Sequence, residues 1–385
     1  MHAVLATDHV FSSHRGRYYD RYCFNEAFFS DYLAAFDRVT VVCRAAPIED
    51  PPEGNALDGE RLRFVNVGDR RGAVWQAAAE WLAADAVKQA VAEADAVVAR
   101  VPSRLGDLAA RVAQKQRKPY LIEVFGDPRE AFQTRGRGIL YRAAALIEAR
   151  RLRRQARHCA AASYVNRSIL PFAYPAKAGV KTETISSIRL SGASIQEPRH
   201  YQAAPSPLRL ATVASLMPYK RHADLLRAIA DARSSGVVCR ADFAGDGPER
   251  ATLERLTAEL GLADSVRFRG HLSGSAAVAS MLGENDVFAL PSATEGLPRA
   301  VLEAMSLGMP AIGSDAGGLP ELIRKEDTFK VGETASITRL LCSMASDPTR
   351  LTEMSTHSIR TARQYTNDLL SPRRVALFEN LKQAV

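Results

Sequence analysis

Residues 288–310 read FALPSATEGLPRAVLEAMSLGMP, and this stretch decides the fold class of the chain. Its apolar run, turn residues and helix formers predict a strand, a loop, a helix and the start of another strand. Pro298 suits the first turn of the helix, because its missing amide hydrogen would have no partner there. The amides near Gly296, Leu297 and Arg299 should then point out of a helix N-terminus. Free donors and the positive end of the helix dipole favour an anion there, such as a diphosphate.

Two glutamates flank this expected anion site. Glu295 ends the loop, and Glu303 lies eight positions later on the helix. A carboxylate in that place can accept a pair of hydrogen bonds from vicinal hydroxyls. Two glutamates at this spacing are by themselves more often two solvated charges. Beside an anion site they predict a pocket for a sugar joined to a diphosphate.

Similar patterns extend outward from this stretch along the whole chain. Short β-branched runs alternate with longer helical patterns, which implies parallel sheets with right-handed crossovers. Pro198, Pro205 and Pro207 interrupt the periodicity. We therefore predict an α/β protein of two doubly wound, Rossmann-like domains that face each other across a cleft. The predicted divisions are a first domain at 1–190, a linker at 191–207, a second domain at 208–365, and a C-terminal helix at 366–385 that packs back on the first domain.

The composition is that of ordinary globular domains. The chain has 385 residues, 46% of them hydrophobic and 24% charged, which is enough for two hydrophobic cores. Its five cysteines are scattered, which argues against a disulfide framework or a zinc site. We find no signal peptide and no apolar window of about 18 residues, so we expect a cytoplasmic protein. Trp75 and Trp81 are expected to be core or helix-packing residues.

The stretch 288–310 resembles the retaining glycosyltransferases of the GT-B fold, specifically glycosyltransferase family four (group 1). The family signature is a strand, Pro-Ser, Glu-Gly, seven residues between two glutamates, Ala-Met, Gly and Pro. The resemblance extends from about residue 208 to residue 323. The further matching segments are 213–221, 243–249, 268–272 and 314–321.

The resemblance implies a role for each matching residue in binding a nucleoside diphosphate sugar. Glu303 would hold the ribose hydroxyls, Glu295 the donor sugar, and Lys220 the phosphates. The backbone around His271 and Leu272 would bind the base. The residues assigned to the donor are Gly16, Lys220, Arg221, His271, Leu272, Glu295, Gly296, Leu297, Pro298, Arg299 and Glu303.

The second domain departs from the family pattern beside the phosphates. The family commonly has an arginine where this chain has Ser215, and a glycine where it has Arg221. Phosphate neutralisation would then depend on Lys220, with Arg221 or Arg299 as a substitute. A solvated surface arginine is the other interpretation of Arg221.

The first domain matches the family less closely. Gly16 lies where the family places a glycine-rich loop, and Asp127 follows a predicted strand where many relatives carry a histidine that faces the reacting sugar. Asp127 is therefore either a sugar contact or a turn-forming residue that caps its own loop. His9 and His14 lie near the end of the first predicted strand and are candidate contacts for the acceptor or the phosphates, although an isolated histidine is usually structural.

The catalytic candidates are Glu295, Lys220 and Asp127. No Asp-x-Asp pair occurs in the sequence, so we expect a reaction that needs neither a metal nor another cofactor. Lys220 and the helix amides would stabilise charge on the leaving diphosphate. A protein base is not required if the departing phosphate oxygen accepts the proton of the acceptor.

Residues 135–157 account for nearly all of the formal net charge of +8, with eight arginines against the single Glu148. The segment predicts an amphipathic helix with a basic face. That face is either simply solvated or attracted to anionic lipid head groups. The second interpretation makes an anionic membrane surface a candidate partner and leaves no role for a nucleic acid.

The sequence therefore predicts a retaining, metal-independent glycosyltransferase that acts in surface polysaccharide biosynthesis. Its acceptor would be an oligosaccharide or a lipid-linked saccharide, and its place the cytoplasm or the inner face of the membrane. The alternatives are a GT-B sugar-nucleotide epimerase or hydrolase, and a catalytically silent sugar-nucleotide binding module.

Overall fold

The computed structural model describes residues 1–20, 24–51, 56–70, 72–133 and 138–384. They form two compact units, one of Met1–Ser187 with Leu370–Val385 and the other of Ile188–Leu369. Each unit contains a predominantly parallel sheet whose strands alternate with helices along the chain. The predicted α/β class with two doubly wound sheets is confirmed.

The first unit is built on a sheet that is parallel except for one short strand. Its strands are β1 (His2–His14), β2 (Arg17–Tyr19), β3 (Arg38–Pro47), β4 (Leu62–Asn66), β5 (Ala96–Val101), β6 (Tyr120–Val124), β7 (Ala161–Tyr164) and β8 (Lys181–Thr184). Their order is β4-β3-β1-β5-β6-β7-β8, and β2 pairs antiparallel with β1. The helices between them are α1 (Glu26–Ala35), α2 (Gly72–Glu93), α3 (Arg104–Lys115), α4 (Pro128–Gln133), α5 (Ile139–His158) and α6 (Leu170–Ala173).

The second unit has an entirely parallel sheet. Its strands are β9 (Leu208–Val213), β10 (Cys239–Ala244), β11 (Val266–Gly270), β12 (Val287–Leu290), β13 (Ala311–Ser314) and β14 (Thr328–Phe329), in the order β11-β10-β9-β12-β13-β14. Its helices are α7 (His222–Ser234), α8 (Arg250–Glu259), α9 (Ser275–Gly283), α10 (Arg299–Ser306), α11 (Leu319–Leu322), α12 (Thr334–Met344) and α13 (Pro348–Ala362). A last helix, α14 (Asn367–Lys382), begins in this unit and continues into the first.

The strand order places one topological switch point in each sheet. The chain adds strands on one side of β1 and then crosses to β5, and it does the same at β9 and β12. Doubly wound sheets bind ligands outside the carboxyl ends of the strands at such a point. The two candidate binding regions are therefore the loops after β1 and β5 and the loops after β9 and β12.

The segment predicted as a linker is packed on the second unit. The Arg199 guanidinium donates to the carbonyl oxygens of Leu307, at 3.0 Å, and of Asn285. The Tyr201 hydroxyl donates to the carbonyl oxygen of Asp286 at 3.1 Å. The Leu307 carbonyl lies at the end of α10, where carbonyl groups lack partners within the helix, and Arg199 supplies one. The boundary between the units lies earlier, after Ser187.

The two tryptophans have different environments, which corrects half of the expectation. Trp75 is 1% exposed, and its indole N–H donates to Asp8 at 3.2 Å, whereas Trp81 is 81% exposed. Both lie on α2, six residues apart, so they point about 120° away from each other around the helix axis. One apolar face therefore cannot bury both.

None of the helices in the described part of the chain is long and apolar enough to cross a bilayer.

Helix α14 is anchored to the first unit by a buried ion pair. Arg374 pairs with Asp31 on α1, and both side chains are less than a tenth exposed. Arg374 also donates to the carbonyl oxygen of Ser186 at 2.9 Å. The Phe378 ring lies 4.7 Å from the ring of Tyr32. The end of the chain thus belongs to the core of the unit that contains its beginning.

We expect Arg374→Ala to lower the free energy of unfolding by about 3–5 kcal/mol, because Asp31 would keep a buried charge without its cation. Urea denaturation measures this change. Arg373→Ala is the matched control, since its pair with Glu183 lies at the surface with the arginine 47% exposed. Such exposed pairs contribute about 1 kcal/mol or less. Equal losses in the two variants would contradict the anchoring role of Arg374.

Candidate functional site

The candidate site lies at the switch point of the second sheet. Two loops meet there, residues 214–221 after β9 and residues 291–298 after β12. A third loop, residues 315–318, follows β13. These loops contain Lys220 and Glu295 and lead into α10, which carries Glu303. The structure therefore brings most of the predicted donor-binding residues to one edge of one sheet.

Main-chain hydrogen bonds fasten these loops to one another. Ala293 N–H donates to the carbonyl oxygen of Tyr219 at 2.7 Å, and Gly318 N–H donates to that of Gly296 at 2.9 Å. The buried Ser314 hydroxyl donates to the carbonyl oxygen of Ser292. Because each loop is bonded to a neighbour, the side chains that project from them are held on a defined framework.

Gly317 is the residue that lets two of these loops touch. Its φ is +54°, a conformation that L side chains rarely adopt. A Cβ atom here would lie 1.7 Å from the carbonyl oxygen of Glu295, which no side chain could tolerate. The glycine pair at 317 and 318 thus fixes the backbone of Glu295.

Lys220 and Glu295 form an ion pair across the switch point. Lys220 Nζ lies 2.5 Å from Glu295 Oε1, and the two side chains are 13% and 11% exposed. The ammonium also lies 5.3 Å from the centre of the Tyr219 ring. This mostly buried pair places the Lys220 ammonium near the expected anion site, and the Glu295 carboxylate balances its charge. An incoming phosphate could share the ammonium without leaving Glu295 unpaired.

Glu303 is a mostly buried carboxylate on α10. Burial raises its pKa above the usual value, and the positive charge of Arg299 offsets this in part. No hydrogen bond to its carboxylate occurs among the described residues. A buried acceptor of this kind costs free energy until donors reach it, and two vicinal hydroxyls supply such donors.

The N-terminus of α10 is close to the prediction. Pro298 takes the N-cap position with extended backbone, one residue earlier than the first turn to which the sequence assigned it, and Arg299 is the first helical residue. No side chain caps this end. Leu297 and Pro298 are buried, whereas Gly296 and Arg299 are partly exposed. The first amides of the helix therefore have no side-chain acceptor, which suits an anion.

Arg221 has a strained backbone. Its φ is +55°, where non-glycine residues are uncommon, and this is the position at which the family pattern has glycine. Its Nε donates to Asp224 Oδ2 at 2.6 Å, and its guanidinium lies beside Gly332. The guanidinium is thus already engaged by a carboxylate. Its role toward the phosphates stays a prediction.

His271 and Leu272 follow β11, two strands away from β9. His271 is exposed and Leu272 partly so. Gly270, which precedes them, accepts a hydrogen bond from Gly245 N–H at 2.7 Å through its carbonyl. This arrangement does not test their predicted contact with the base, which stays a prediction.

Asp127 lies in the first unit, and its carboxylate is already engaged. It accepts hydrogen bonds from Arg129, through the backbone at 2.8 Å and the guanidinium at 2.6 Å, and from the Tyr174 hydroxyl at 2.5 Å. Burial by itself would raise the pKa of Asp127, but these hydrogen bonds outweigh it and lower that pKa. The geometry favours the turn-capping interpretation. A catalytic role stays a prediction that would require these bonds to rearrange.

Gly16 occupies a tight hairpin turn. It lies with Arg15 between β1 and β2, and φ is +79° for Gly16 and +49° for Arg15. Positive φ at both central residues is the geometry of two-residue hairpin turns. This turn is sufficient reason for a glycine here, and a contact of Gly16 with the donor stays a prediction.

Sequence reasoning missed His222, the residue that opens α7. It is 2% exposed, both ring nitrogens are buried and have no hydrogen-bond partner among the described residues, and the ring packs 5.5 Å from Phe243. Burial, helped by the charge of Lys220, lowers its pKa to about 4. The imidazole is therefore neutral at pH 7 and adds no positive charge to that of Lys220. Its position two residues after Lys220 was the available signal.

No group of three or more His, Cys, Asp or Glu side chains in the described ranges is arranged to hold a metal ion. The cysteines at 43, 159, 239 and 342 are free, and Cys23 lies outside the described residues.

Comparison with known proteins agrees with this geometry. Residues 196–364 match the family model described as "Glycosyl transferases group 1". Protein CapJ of Staphylococcus aureus is 25% identical over 342 residues, which cover 89% of this chain and 85% of CapJ. The amylovoran biosynthesis glycosyltransferase AmsK of Erwinia amylovora is 33% identical over 127 residues, but these cover only 31% of each protein.

The fold comparison extends over nearly the whole chain. The crystal structure of Anabaena HepE in complex with UDP and glucose has a TM-score of 0.67 and 17% identity, covering 97% of this chain and 98% of HepE. At this identity the likeness concerns the fold. The family match over residues 196–364 of the second unit and the likeness in fold to HepE agree with the resemblance of the sequence to group 1 glycosyltransferases of the GT-B fold.

Proposed function

We propose that this chain transfers a hexose-type sugar from a nucleoside diphosphate sugar to a saccharide acceptor, with retention of configuration and without a metal ion. Glu303 is the observation that carries the proposal. Its carboxylate is mostly buried, lacks a donor among the described residues, and lies in the second turn of a helix whose N-cap makes no side-chain hydrogen bond. A nucleotide would satisfy both features, with ribose hydroxyls at Glu303 and phosphates at the helix N-terminus.

The surroundings of the site support a sugar nucleotide as the donor. The Lys220–Glu295 pair lies in the loops that precede α7 and α10, so a diphosphate at the N-terminus of α10 would find an ammonium close by. HepE, which shares the fold, was solved with UDP and glucose. The family signature, which this chain matches from Leu290 to Pro310, supports retention. We infer that Glu295 and the amides beside it contact the donor sugar.

Surface polysaccharide synthesis is the process we propose for this activity. AmsK, which matches part of the chain, is named for amylovoran biosynthesis. The acceptor would then be an oligosaccharide or a lipid-linked saccharide.

Glu303→Gln should weaken nucleoside diphosphate binding about ten- to a hundredfold, because the ribose hydroxyls lose a charged acceptor. Calorimetry of the wild type and the variant with a panel of nucleoside diphosphates measures this. The same variant should melt at a higher temperature than the wild type without ligand at pH 7, since it no longer buries a charge. Glu321→Gln is the control, because that carboxylate lies outside the predicted site. Unchanged nucleotide affinity would remove Glu303 from the site.

The raised pKa of Glu303 also gives a pH dependence. The charged carboxylate is the better acceptor, so nucleotide affinity should fall as pH decreases through this pKa, at a higher pH than for an ordinary glutamate. The Gln variant should lack this part of the dependence.

Lys220→Met should lower turnover about a hundred- to a thousandfold and change the affinity for the uncharged nucleoside only slightly. The ammonium would meet charge that grows on the leaving diphosphate, so it stabilises the transition state more than the bound substrate. Wild-type turnover should persist in EDTA, which is the control for metal independence. Loss of turnover in EDTA that Mn²⁺ or Mg²⁺ restores would show that a metal carries this role.

Helix α5 supports a membrane surface as a further partner. Arg142, Arg150, Arg154 and Arg157 are exposed and have no acidic partner in the described part of the chain. Large apolar side chains are also exposed on α5 and on α6. They are Ile139, Tyr141, Leu146 and Ile147 on α5, and Phe172 on α6.

The acidic residue of α5 already has partners of its own. Glu148 pairs with Arg104 at 2.7 Å and with Arg151 at 3.0 Å. Arg135 and Arg137, which the sequence assigned to the basic face, lie outside the described residues. Exposed arginines interleaved with large apolar side chains are typical of interfacial helices. We infer that this surface binds anionic lipid at the inner face of the membrane.

Replacing Arg142, Arg150, Arg154 and Arg157 by Gln should weaken binding to phosphatidylglycerol vesicles by several kcal/mol at low salt, at about 1 kcal/mol per charge. Sedimentation with the vesicles measures this, and 1 M salt should have the same effect on the wild type because it shortens the Debye length to ~3 Å. Four exposed arginines of the second unit form the control set, Arg227, Arg240, Arg255 and Arg267. Equal weakening by the control set, or no vesicle binding by the wild type, would contradict the proposal.

A further inference from the structure

The first sheet has its own switch point, to which the family signature assigns no side chain. It lies at the carboxyl ends of β1 and β5. Gly16 forms a hairpin turn, and Asp127 is engaged by Arg129 and Tyr174. Because doubly wound sheets bind ligands at such a point, the polar groups near it are candidate ligand contacts.

A bulge in β1 displaces His9 from the sheet ladder at this point. Ala6 pairs with Val42 and Val10 pairs with Arg44, so four positions on β1 correspond to two positions on β3. The two extra residues lie in the segment that contains His9. Bulges of this kind redirect side chains and are frequent beside active sites.

His9 is held by a buried carboxylate and two aromatic rings. Its Nε2 lies 2.9 Å from Asp20 Oδ1, and Asp20 is 3% exposed. The imidazole lies 4.7 Å from the ring of Phe11 and 4.5 Å from that of Phe24. The other carboxylate oxygen of Asp20 accepts a hydrogen bond from Phe24 N–H at 2.6 Å. These contacts fix the orientation of the imidazole.

This arrangement leaves one ring nitrogen of His9 available. A carboxylate can only accept, so in the neutral imidazole Nε2 carries the hydrogen and Nδ1 carries the lone pair. Nδ1 has no partner among the described residues and is not a buried atom, and the His9 side chain is 22% exposed. Nδ1 is therefore a fixed hydrogen-bond acceptor that a ligand can reach.

Arg100 links the Phe24 ring, which contacts His9, to an exposed aromatic ring. The Arg100 guanidinium on β5 lies 5.2 Å from the ring of Phe24 and 5.6 Å from that of Phe125. Arg100 is paired with Glu123 at 2.8 Å, whereas Phe125 follows β6 and is 37% exposed. A reachable acceptor atom and an exposed aromatic ring, linked through Phe24 and Arg100, match a sugar, which presents hydroxyl donors and apolar C–H faces.

We propose that His9 Nδ1 accepts a hydrogen bond from a hydroxyl of the saccharide acceptor, oriented by Asp20, and that the Phe125 ring packs against the same sugar. This inference rests on the proposed function, because it presupposes that a saccharide accepts the transferred sugar. His14 serves as the comparison, because it pairs with Arg17 at the hairpin turn, beyond the part of β1 that pairs with β5, and its Nδ1 is bonded to the carbonyl oxygen of Ile48 at 3.2 Å.

Transfer kinetics test the proposal. The wild type is first assayed for hydrolysis of a panel of sugar nucleotides, and for transfer to octyl glycosides of glucose, galactose, mannose and N-acetylglucosamine. His9→Gln should then lower kcat/KM for the best saccharide about tenfold, the loss of one hydrogen bond. The KM for the donor and the rate of donor hydrolysis should stay within twofold. His14→Gln is the matched control and should leave all of these values unchanged.

Asp20→Asn is the second variant. Its amide can donate to Nε2 and so move the imidazole hydrogen to Nδ1, which turns the acceptor atom into a donor. Long-range ¹H–¹⁵N spectra should show an unprotonated Nδ1 in wild-type His9, which shifts when the saccharide is added. This measurement needs no variant and so remains decisive if His9→Gln does not fold.

Each other result overturns the inference at a different level. Transfer by His9→Gln at the wild-type rate, or an Nδ1 signal that the saccharide does not shift, would exclude His9. Equal loss of transfer and donor hydrolysis would indicate a purely structural role. Hydrolysis without transfer to any saccharide would overturn the acceptor class but leave the donor site intact. A wild type that neither hydrolyses nor transfers would overturn the proposed function itself.

Discussion

The main-chain contact between Gly317 and Glu295 is the constraint on which the candidate site depends. A Cβ atom at position 317 would lie 1.7 Å from the Glu295 carbonyl oxygen, so the loops after β12 and β13 can meet only at a glycine. That meeting allows Gly318 to bond to Gly296. It also fixes Glu295, whose carboxylate holds Lys220 in place. The ion pair is therefore a consequence of backbone packing and not of charge attraction alone.

Much of this arrangement could be predicted because its determinants are local in sequence. Residues 288–310 contain the strand, the helix start and both glutamates. The helix start predicted from Pro298 differs from the observed one by only one residue. The alternation of strands and helices gave both doubly wound sheets for the same reason, since each βα unit is short. Trp81 shows that even a local pattern must be followed around the helix axis, because Trp75 and Trp81 lie on different faces.

The remaining features depend on partners that are distant in sequence. Asp127 is engaged partly by Tyr174, 47 residues later, and nothing near Asp127 indicates that contact. The unpartnered imidazole of His222 follows from its packing against Phe243. Arg221 is different, because the positive φ at its position was already implied by the glycine of the family pattern. The chain accepts a strained arginine there, and the ion pair with Asp224 gives that side chain a compensating contact.

The same topological rule operates in both units, but the two switch points differ in how they are encoded. In the second unit, backbone amides and two glutamates in one continuous stretch form the site, and the family match spans this unit at 196–364. In the first unit, the candidate groups come from a β-bulge, from Asp20 and from the ends of β5 and β6. A diphosphate and a ribose are common to many donors, so a short motif suffices to bind them. Acceptors differ in the positions of their hydroxyls, and matching them requires single side chains such as His9, whose placement depends on packing and leaves no motif.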